Sequence, residues 1–457
     1  MHNKLTLVQT ILVLLIGSTV VSANDDVCIG TPILRLPGQP QQSIATTSVD
    51  QQATTEVPDR ENWPQWRGPE GTSIAGAGEF PTQFSRTENV LWKTRLPGIG
   101  SSTPIVWEDR IFITSGNKGQ DSVQAYDWNG VLEWQETLGK ERPGKHRNGS
   151  GSNSSPITDG KNVYVYFKSG TVASLTLDGK LNWKLNLQKE FGEDTLWWDL
   201  GTSPVLAGGN IVIAVMQEGN SYVVALDPDD GSVVWKVDRT FPVQKESGQS
   251  YTTPCVLEID GVETIVIWGA DRLTGHDPKD GKTLWTCGGF NPQDKPMWRV
   301  IASPAITQGI AVVPFGRTKF SAGVRLGGSG NITESGRLWE RNDLGADCPT
   351  PVGQDGKVYL LSDRGKINCI DAATGKDIWA DAIPRASAKY YSSPILAGNL
   401  LYCAREDGVL TTIRVNDNGM EILAQNEMGE RLAATPVPIN NKLLVRGIDH
   451  LFCIGSK

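Results

Sequence analysis

The stretch IDAATGKDIW, residues 370–379, sets an acidic residue, a glycine and a tryptophan four residues apart: Asp371, Gly375 and Trp379. LDPDDGSVVW, ending at Trp235, and HDPKDGKTLW, ending at Trp285, keep the same three at the same offsets. A segment repeated along a chain is an architectural unit before it is an active site. The glycine supplies the positive φ of a tight turn, and the acid caps that turn. The tryptophan then fills space between neighbouring units. Further tryptophans end units at Trp134, Trp183 and Trp339, while the seventh unit departs with Ile422.

Each unit is preceded by a Ser/Thr-Pro pair. The prolines are Pro104, Pro156, Pro204, Pro254, Pro304, Pro351, Pro394 and Pro436, spaced 42 to 52 residues apart. That period in a strand-rich sequence fits four-stranded propeller blades. After Pro351 the four strands read TPVGQDG, KVYLLSD, GKINCID and KDIWAD. The opening proline suits a first-strand position, where no ladder donor is lost. The last unit, from Pro436, ends without a fourth strand. NVLWKTRLP, from Asn89 to Pro97, looks like a fourth strand with no preceding three, and Trp92 is the missing tryptophan. The fold expected is therefore all-β, an eight-bladed β-propeller of four-stranded antiparallel blades, closed by pairing N- and C-terminal strands. Such closure removes exposed sheet edges.

The bulk composition agrees. Fifty Gly and fifteen Trp suit short strands and tight turns, and 39% hydrophobic residues can build a large core. The formal charge of -8 argues against a nucleic-acid surface, which needs a basic stripe. Lys4, the apolar run ILVLLIG and the small residues Ser22 and Ala23 describe a secretory signal peptide over residues 1–23. Thr6, Gln9 and Thr10 interrupt what a membrane anchor would need, roughly 20 apolar residues, so the mature chain is expected to have no transmembrane segment. Cys28 follows NDDV rather than the Leu and small residues that precede a lipidated Cys. Residues 24–60, rich in Gln, Thr and Pro, read as a disordered linker, leaving 61–457 for the propeller. The seven cysteines form no CxxC pair, and Cys369, Cys403 and Cys453 sit in apolar runs as expected buried thiols. His276, beside the turn residue Asp277, reads as structural. An exported, periplasmic or extracellular protein is the expectation.

The corner motif and the eightfold count resemble the PQQ-like repeats of quinoprotein alcohol dehydrogenases and, more distantly, the BamB-type scaffold of outer-membrane protein assembly. WPQWRGP, Trp63 to Pro69, resembles the start of a group of exported bacterial PQQ-like repeat proteins. The dehydrogenase resemblance implies a quinone held between a Trp face and a disulfide of adjacent cysteines, with calcium on Glu, Asn and Asp. Adjacent cysteines are absent, and no Glu/Asn/Asp set or catalytic Asp aligns; only Trp197 or Trp198 offers a stacking face. No cofactor, metal or catalytic residue is therefore expected, with PQQ and calcium as the alternative.

In a propeller the loops from each fourth strand to the next first strand gather at one mouth of the channel. Here they carry Arg147, Trp197, Trp198, Asp199, Tyr251, Trp298, Arg299, Tyr390, Tyr391 and Arg431. Aromatic faces with guanidinium donors suit a flat, anionic or hydroxyl-rich ligand, or a peptide segment. The competing reading makes the aromatics wedges between blades and the charges solvated. The function expected is a binding or scaffold protein holding a protein, small-molecule or glycan partner at this mouth. The alternatives are a PQQ-dependent oxidoreductase acting on alcohols or sugars, and a BamB-like role.

Overall fold

The computed structural model describes residues 61–456; the expected signal peptide and linker lie outside them. Eight sheets, blades 1 to 8 in the order of their opening prolines, follow one another; seven are built on four antiparallel strands in chain order and the eighth on three from the C-terminal end and one from the N-terminal end. Blade 6 shows the pattern: Val352–Gln354, Lys357–Leu361, Lys366–Asp371 and Asp377–Ala382, in that order. Its two middle strands are buried along nearly their whole length, because a neighbouring blade covers each face. In the outer strand only Trp379 is buried.

The corner motif works between blades. Gly375, at φ +68°, donates its N–H to the Asp371 carbonyl at 2.8 Å, and the Asp371 carboxylate accepts from Thr374 N at 2.7 Å. The tryptophan resting on this corner is that of the preceding blade. A Cβ on Gly375 would lie 2.4 Å from the Trp339 ring, and Trp339 Nε1 donates to Ala372 O at 2.8 Å. Trp134 meets Gly179 and Leu177 O in this way, Trp183 meets Gly231 and Pro228 O, and Trp235 meets Gly281 and Pro278 O. One flat ring thus buries apolar area and satisfies its single donor in the same place.

Blade 5 lacks this corner and carries instead the stretch GGSGN, Gly327 to Asn331. Gly330–Asn331 pairs in parallel with Thr283–Gly288 of blade 4 as a fifth strand. Ring closure is as expected. Val90–Arg95 pairs antiparallel with His450–Ile454, setting Trp92 opposite Cys453, and Trp92 Nε1 donates to Trp128 O at 2.7 Å. Six described cysteines are free, and Cys369, Cys403 and Cys453 are buried. His276 is buried too, its ring held by Gly281 O and Thr274 Oγ1.

The WPQWRGP stretch forms a strap across the ring. Trp63 exchanges both backbone hydrogen bonds with Val106 of blade 1, and Thr158 N of blade 2 donates to Pro64 O at 3.0 Å. Arg67 then reaches the carbonyls of Pro304 and Pro351, in blades 5 and 6, at 3.0 and 3.1 Å. Beyond it Ile74–Ala75 pairs in parallel with Ile395–Ala397 of blade 7. The strap therefore crosses the channel and closes one end of it.

Candidate functional site

From blade 1 to blade 7, the Ser or Thr before the opening proline links one blade to the next. Thr103 N donates to Ser155 Oγ at 2.9 Å, Ser155 N to Ser203 Oγ at 2.9 Å, and Ser203 N to Thr253 Oγ1 at 3.0 Å. The series continues from Thr253 N to Ser303 Oγ, Ser303 N to Thr350 Oγ1, and Thr350 N to Ser393 Oγ. A proline cannot donate to the ladder, so the residue before it is free to turn its N–H toward the next blade. The result is a girdle of hydroxyls around the channel.

The girdle forms the lower wall of a chamber of about 310 Å³. Trp66 of the N-terminal strap lines it, with Nε1 3.5 Å from Thr435 Oγ1. The upper wall comes from the loops between blades. Of the residues expected at the mouth, Trp198, Asp199, Tyr251, Arg299 and Tyr391 line this chamber. The loop leaving blade 1 crosses above it as a second strap. Its Lys145 and His146 amides donate to the two Asp199 carboxylate oxygens at 2.7 and 2.9 Å. On the far side, Arg147 Nη2 and Asn148 Nδ2 both donate to Glu406 Oε2 of blade 7 at 2.7 Å. Between these anchors the His146 ring packs on Trp198 and Tyr391, with centroids 6.1 and 5.6 Å away.

The remaining expected residues lie elsewhere. Arg147 and Arg431 sit on the rim, where Arg431 Nη1 donates to the Arg147 carbonyl. Trp197 is not part of the chamber lining and is 41% exposed. Trp298 is half-buried and packs on Phe315 and Phe320 at the edge of the blade 4–5 core, under the Lys295 ammonium. Tyr390 is buried with the Trp379 cluster. These last two are wedges.

Sequence reading missed the residues that hold the loops. They stand two positions after the second strand of several blades: Lys168, Gln217, Arg317, Asp363 and Glu406. Lys168 Nζ donates to Asp199, both side chains being buried, and to Pro143 O. Gln217 Oε1 accepts from Thr195 N, and Asp363 Oδ1 accepts from Asp347 N and Cys348 N. Arg317 pairs with Glu246, which is itself 1% exposed and accepts from Trp198 Nε1 and Arg299 Nη1, both at 2.9 Å. Arg299 Nη2 also reaches Asp347 at 3.0 Å. The common offset from the second strand was the available signal.

Electrostatics at the mouth follow from these contacts. Burial by itself would raise the Glu406 carboxyl, but the bonds from Asn148 and the Lys389 amide, with Arg147, hold it below the usual range. Burial would lower Arg299, and Asp347 and Glu246 outweigh it. Asp363 is raised, by burial first and then by Asp347. Cys348 stays a thiol, since burial and then Asp363 push it well up.

Comparison with known proteins places this geometry. A family model described as outer membrane protein assembly factor BamB matches residues 82–223, 198–331 and 331–421. The chain belongs to that family. Outer membrane protein assembly factor BamB of Yersinia pestis is 24% identical over 302 residues, covering 64% of this chain and 70% of that one. The crystal structure of BamB from Moraxella catarrhalis superposes with a TM-score of 0.57 at 17% identity, over 80% of this chain and 99% of that one. A europium-containing methanol dehydrogenase shares the fold with a TM-score of 0.64 at 12% identity, over 85% and 90% of the two chains.

The chamber's donors do not match a calcium-bound quinone held against paired cysteines. No two described cysteines are adjacent. The described residues bring one acidic triad within chelating reach, Asp347, Cys348 and Asp363. Asp347 already carries Arg299, Asp363 accepts two amides, and Cys348 is protonated. Calcium takes six to eight oxygens.

Proposed function

We propose that this chain is an exported scaffold protein of outer-membrane protein assembly, and that its rim docks a segment of a protein partner. The observation that carries this reading is the exposed apolar cluster at the mouth. Trp198 is 42% exposed and Met297 is 42% exposed, and both sit on the same buried acid: Glu246 fixes the Trp198 indole and, through Arg317, the Met297 carbonyl. Trp197, next to Trp198 in sequence, is 41% exposed. Large apolar side chains presented to solvent on a fixed base suit a binding anchor rather than a core. Relatives described as outer membrane protein assembly factors support the choice of process. The signal-peptide pattern supports export to the periplasm. Among the described residues no helix is long and apolar enough to cross a membrane. Quinone-dependent oxidation of alcohols or sugars draws on the shared fold alone.

The test is complementation. Deleting the gene in its own organism should lower the amount of folded outer-membrane barrel protein, read by heat-modifiable mobility on gels. The Trp197→Ala, Met297→Ala double variant should fail to restore it while keeping the parent's thermal midpoint. Full restoration by that variant, or unchanged barrel levels on deletion, rejects the proposal.

A further inference from the structure

We infer that the chamber between the two straps is a binding site for a small organic oxyanion, a single-ring carboxylate being the class that fits. This does not rest on the docking reading, which is tested at Trp197 and Met297 outside the chamber lining and shares only Trp198 with it.

The first observation is the state of the girdle. A hydroxyl has one proton to give and two lone pairs. In Ser155, Ser203, Thr350 and Ser393 a lone pair is taken by the N–H of the preceding blade. Among the described residues no protein acceptor lies within reach of their protons. All four are at least 94% buried and line the chamber, as do Thr103 and Thr435. The wall is thus a ring of donors waiting for an acceptor. His146 adds to it: Nδ1 accepts from Asn148 N at 3.2 Å, which leaves the proton of the neutral ring on Nε2.

The second observation is independent of the hydroxyls. Arg67 and Arg446 are 3% and 1% exposed, and neither has a carboxylate partner. Buried cations left without a counter-charge are strongly unfavourable. Both lie against the girdle. Arg67 holds the carbonyls of Pro304 and Pro351, each one residue past a girdle hydroxyl. Arg446 holds Ser102 O at 2.9 Å, one residue before Thr103. An anion on the channel axis would face a donor ring backed by two uncompensated positive charges. The carboxylates of the upper wall do not oppose it freely, because Asp199, Glu246, Asp347 and Glu406 are each engaged by Lys or Arg.

Size and lining narrow the class. About 310 Å³ lies at the small end of ligand cavities, enough for one ring with its substituents. Trp198, Tyr251 and Tyr391 offer aromatic surface above the girdle. A planar ring carrying a carboxylate would place its oxygens on the hydroxyls and its body among the aromatics.

Calorimetry of the purified protein at low ionic strength tests this with benzoate, inorganic phosphate and benzyl alcohol. Benzoate should bind with one-to-one stoichiometry and benzyl alcohol at least tenfold more weakly. Phosphate binding as tight as that of benzoate would still support an oxyanion site, and would identify phosphate as the headgroup. Ser155→Ala with Ser203→Ala should weaken benzoate at least tenfold. Because those changes also remove links between blades, Ala433→Phe provides the second arm: it fills the chamber from its wall, leaves the girdle whole, and should abolish binding. Absence of benzoate and phosphate binding overturns the inference. So does equal binding of benzyl alcohol, or undiminished benzoate binding by a folded Ala433→Phe protein.

Discussion

Trp339 and Gly375 touch across a blade boundary, the indole ring lying where a side chain on residue 375 would begin, 2.4 Å from its Cβ position. The contact couples two constraints, since Gly375 also needs φ +68°. Gly375→Ala should therefore displace the Trp339 ring as well as strain the turn. Trp339→Ala should cost about 3–5 kcal/mol as a large aromatic truncation. Trp379→Ala and Trp92→Ala should cost the same range, because each indole also donates to a carbonyl in the neighbouring blade, Asn416 O and Trp128 O. Urea midpoints of the four variants check this. A Trp92 variant with unchanged stability would show that the closing blade is not equivalent to the others.

Closure has its own test. A chain starting at Glu61 keeps every described element. One starting at Ile99 loses the strap and the strand Val90–Arg95, leaving the edge of His450–Ile454 unpaired. An open, apolar edge invites aggregation. The shorter chain should lose the cooperative thermal transition or aggregate, as read by circular dichroism and light scattering. Equal midpoints for the two would reject a ring sealed by its termini.

The blade count was legible because its signals are local. Asp371, Gly375 and Trp379 lie within nine residues, and the Ser/Thr-Pro pairs recur at a steady period. The partner of each Trp was not legible, since Trp339 docks on a turn 33 residues later. The role of the Ser or Thr before most of these prolines was hidden for the same reason, six of the hydroxyls serving an amide a whole blade away. Adjacent aromatics show a further limit. Tyr391 lines the chamber and Tyr390 is core, and Trp198 lines it while Trp197 does not; loop conformation decides between neighbours of identical chemistry. Lys168 and Glu406 were passed over because an isolated charge in a hairpin reads as solvated. Burial against a distant loop makes them anchors.

The Lys168–Asp199 pair provides a prediction about the upper strap. Both side chains are nearly inaccessible, and Asp199 also holds the Lys145 and His146 amides. Removing one member of such a pair leaves an uncompensated buried charge, with a cost of about 3–5 kcal/mol. Lys168→Met should show that loss, together with faster hydrogen exchange at the amides of 145 and 146. The paired change Lys168→Met, Asp199→Asn should recover part of the stability, because no lone charge remains. A double variant less stable than Lys168→Met would mean that the amide contacts matter more than the charge.

Asp121 sets a pH dependence. Its side chain is fully buried, Oδ2 accepts from Ser169 Oγ at 2.5 Å, and Oδ1 has no partner among the described residues. Burial pushes this carboxyl up to about 7, the Ser169 bond opposes the shift, and Glu141 adds to it. The unfolded chain titrates near 3.8. Between those values the folded state binds more protons, so stability falls as pH rises. The contribution is complete below about pH 4 and gone above about pH 7, and at roughly 1.4 kcal/mol per pKa unit it amounts to about 4 kcal/mol. Carboxylates held low, such as Glu406, act in the opposite direction below pH 5, so the effect must be read as a difference. Asp121→Asn mimics the neutral acid without titrating. Its thermal midpoint should exceed that of the parent at pH 8, and the gap should narrow through pH 5 and close near pH 4. Parallel curves across that range would show that Asp121 ionises in the folded protein without cost.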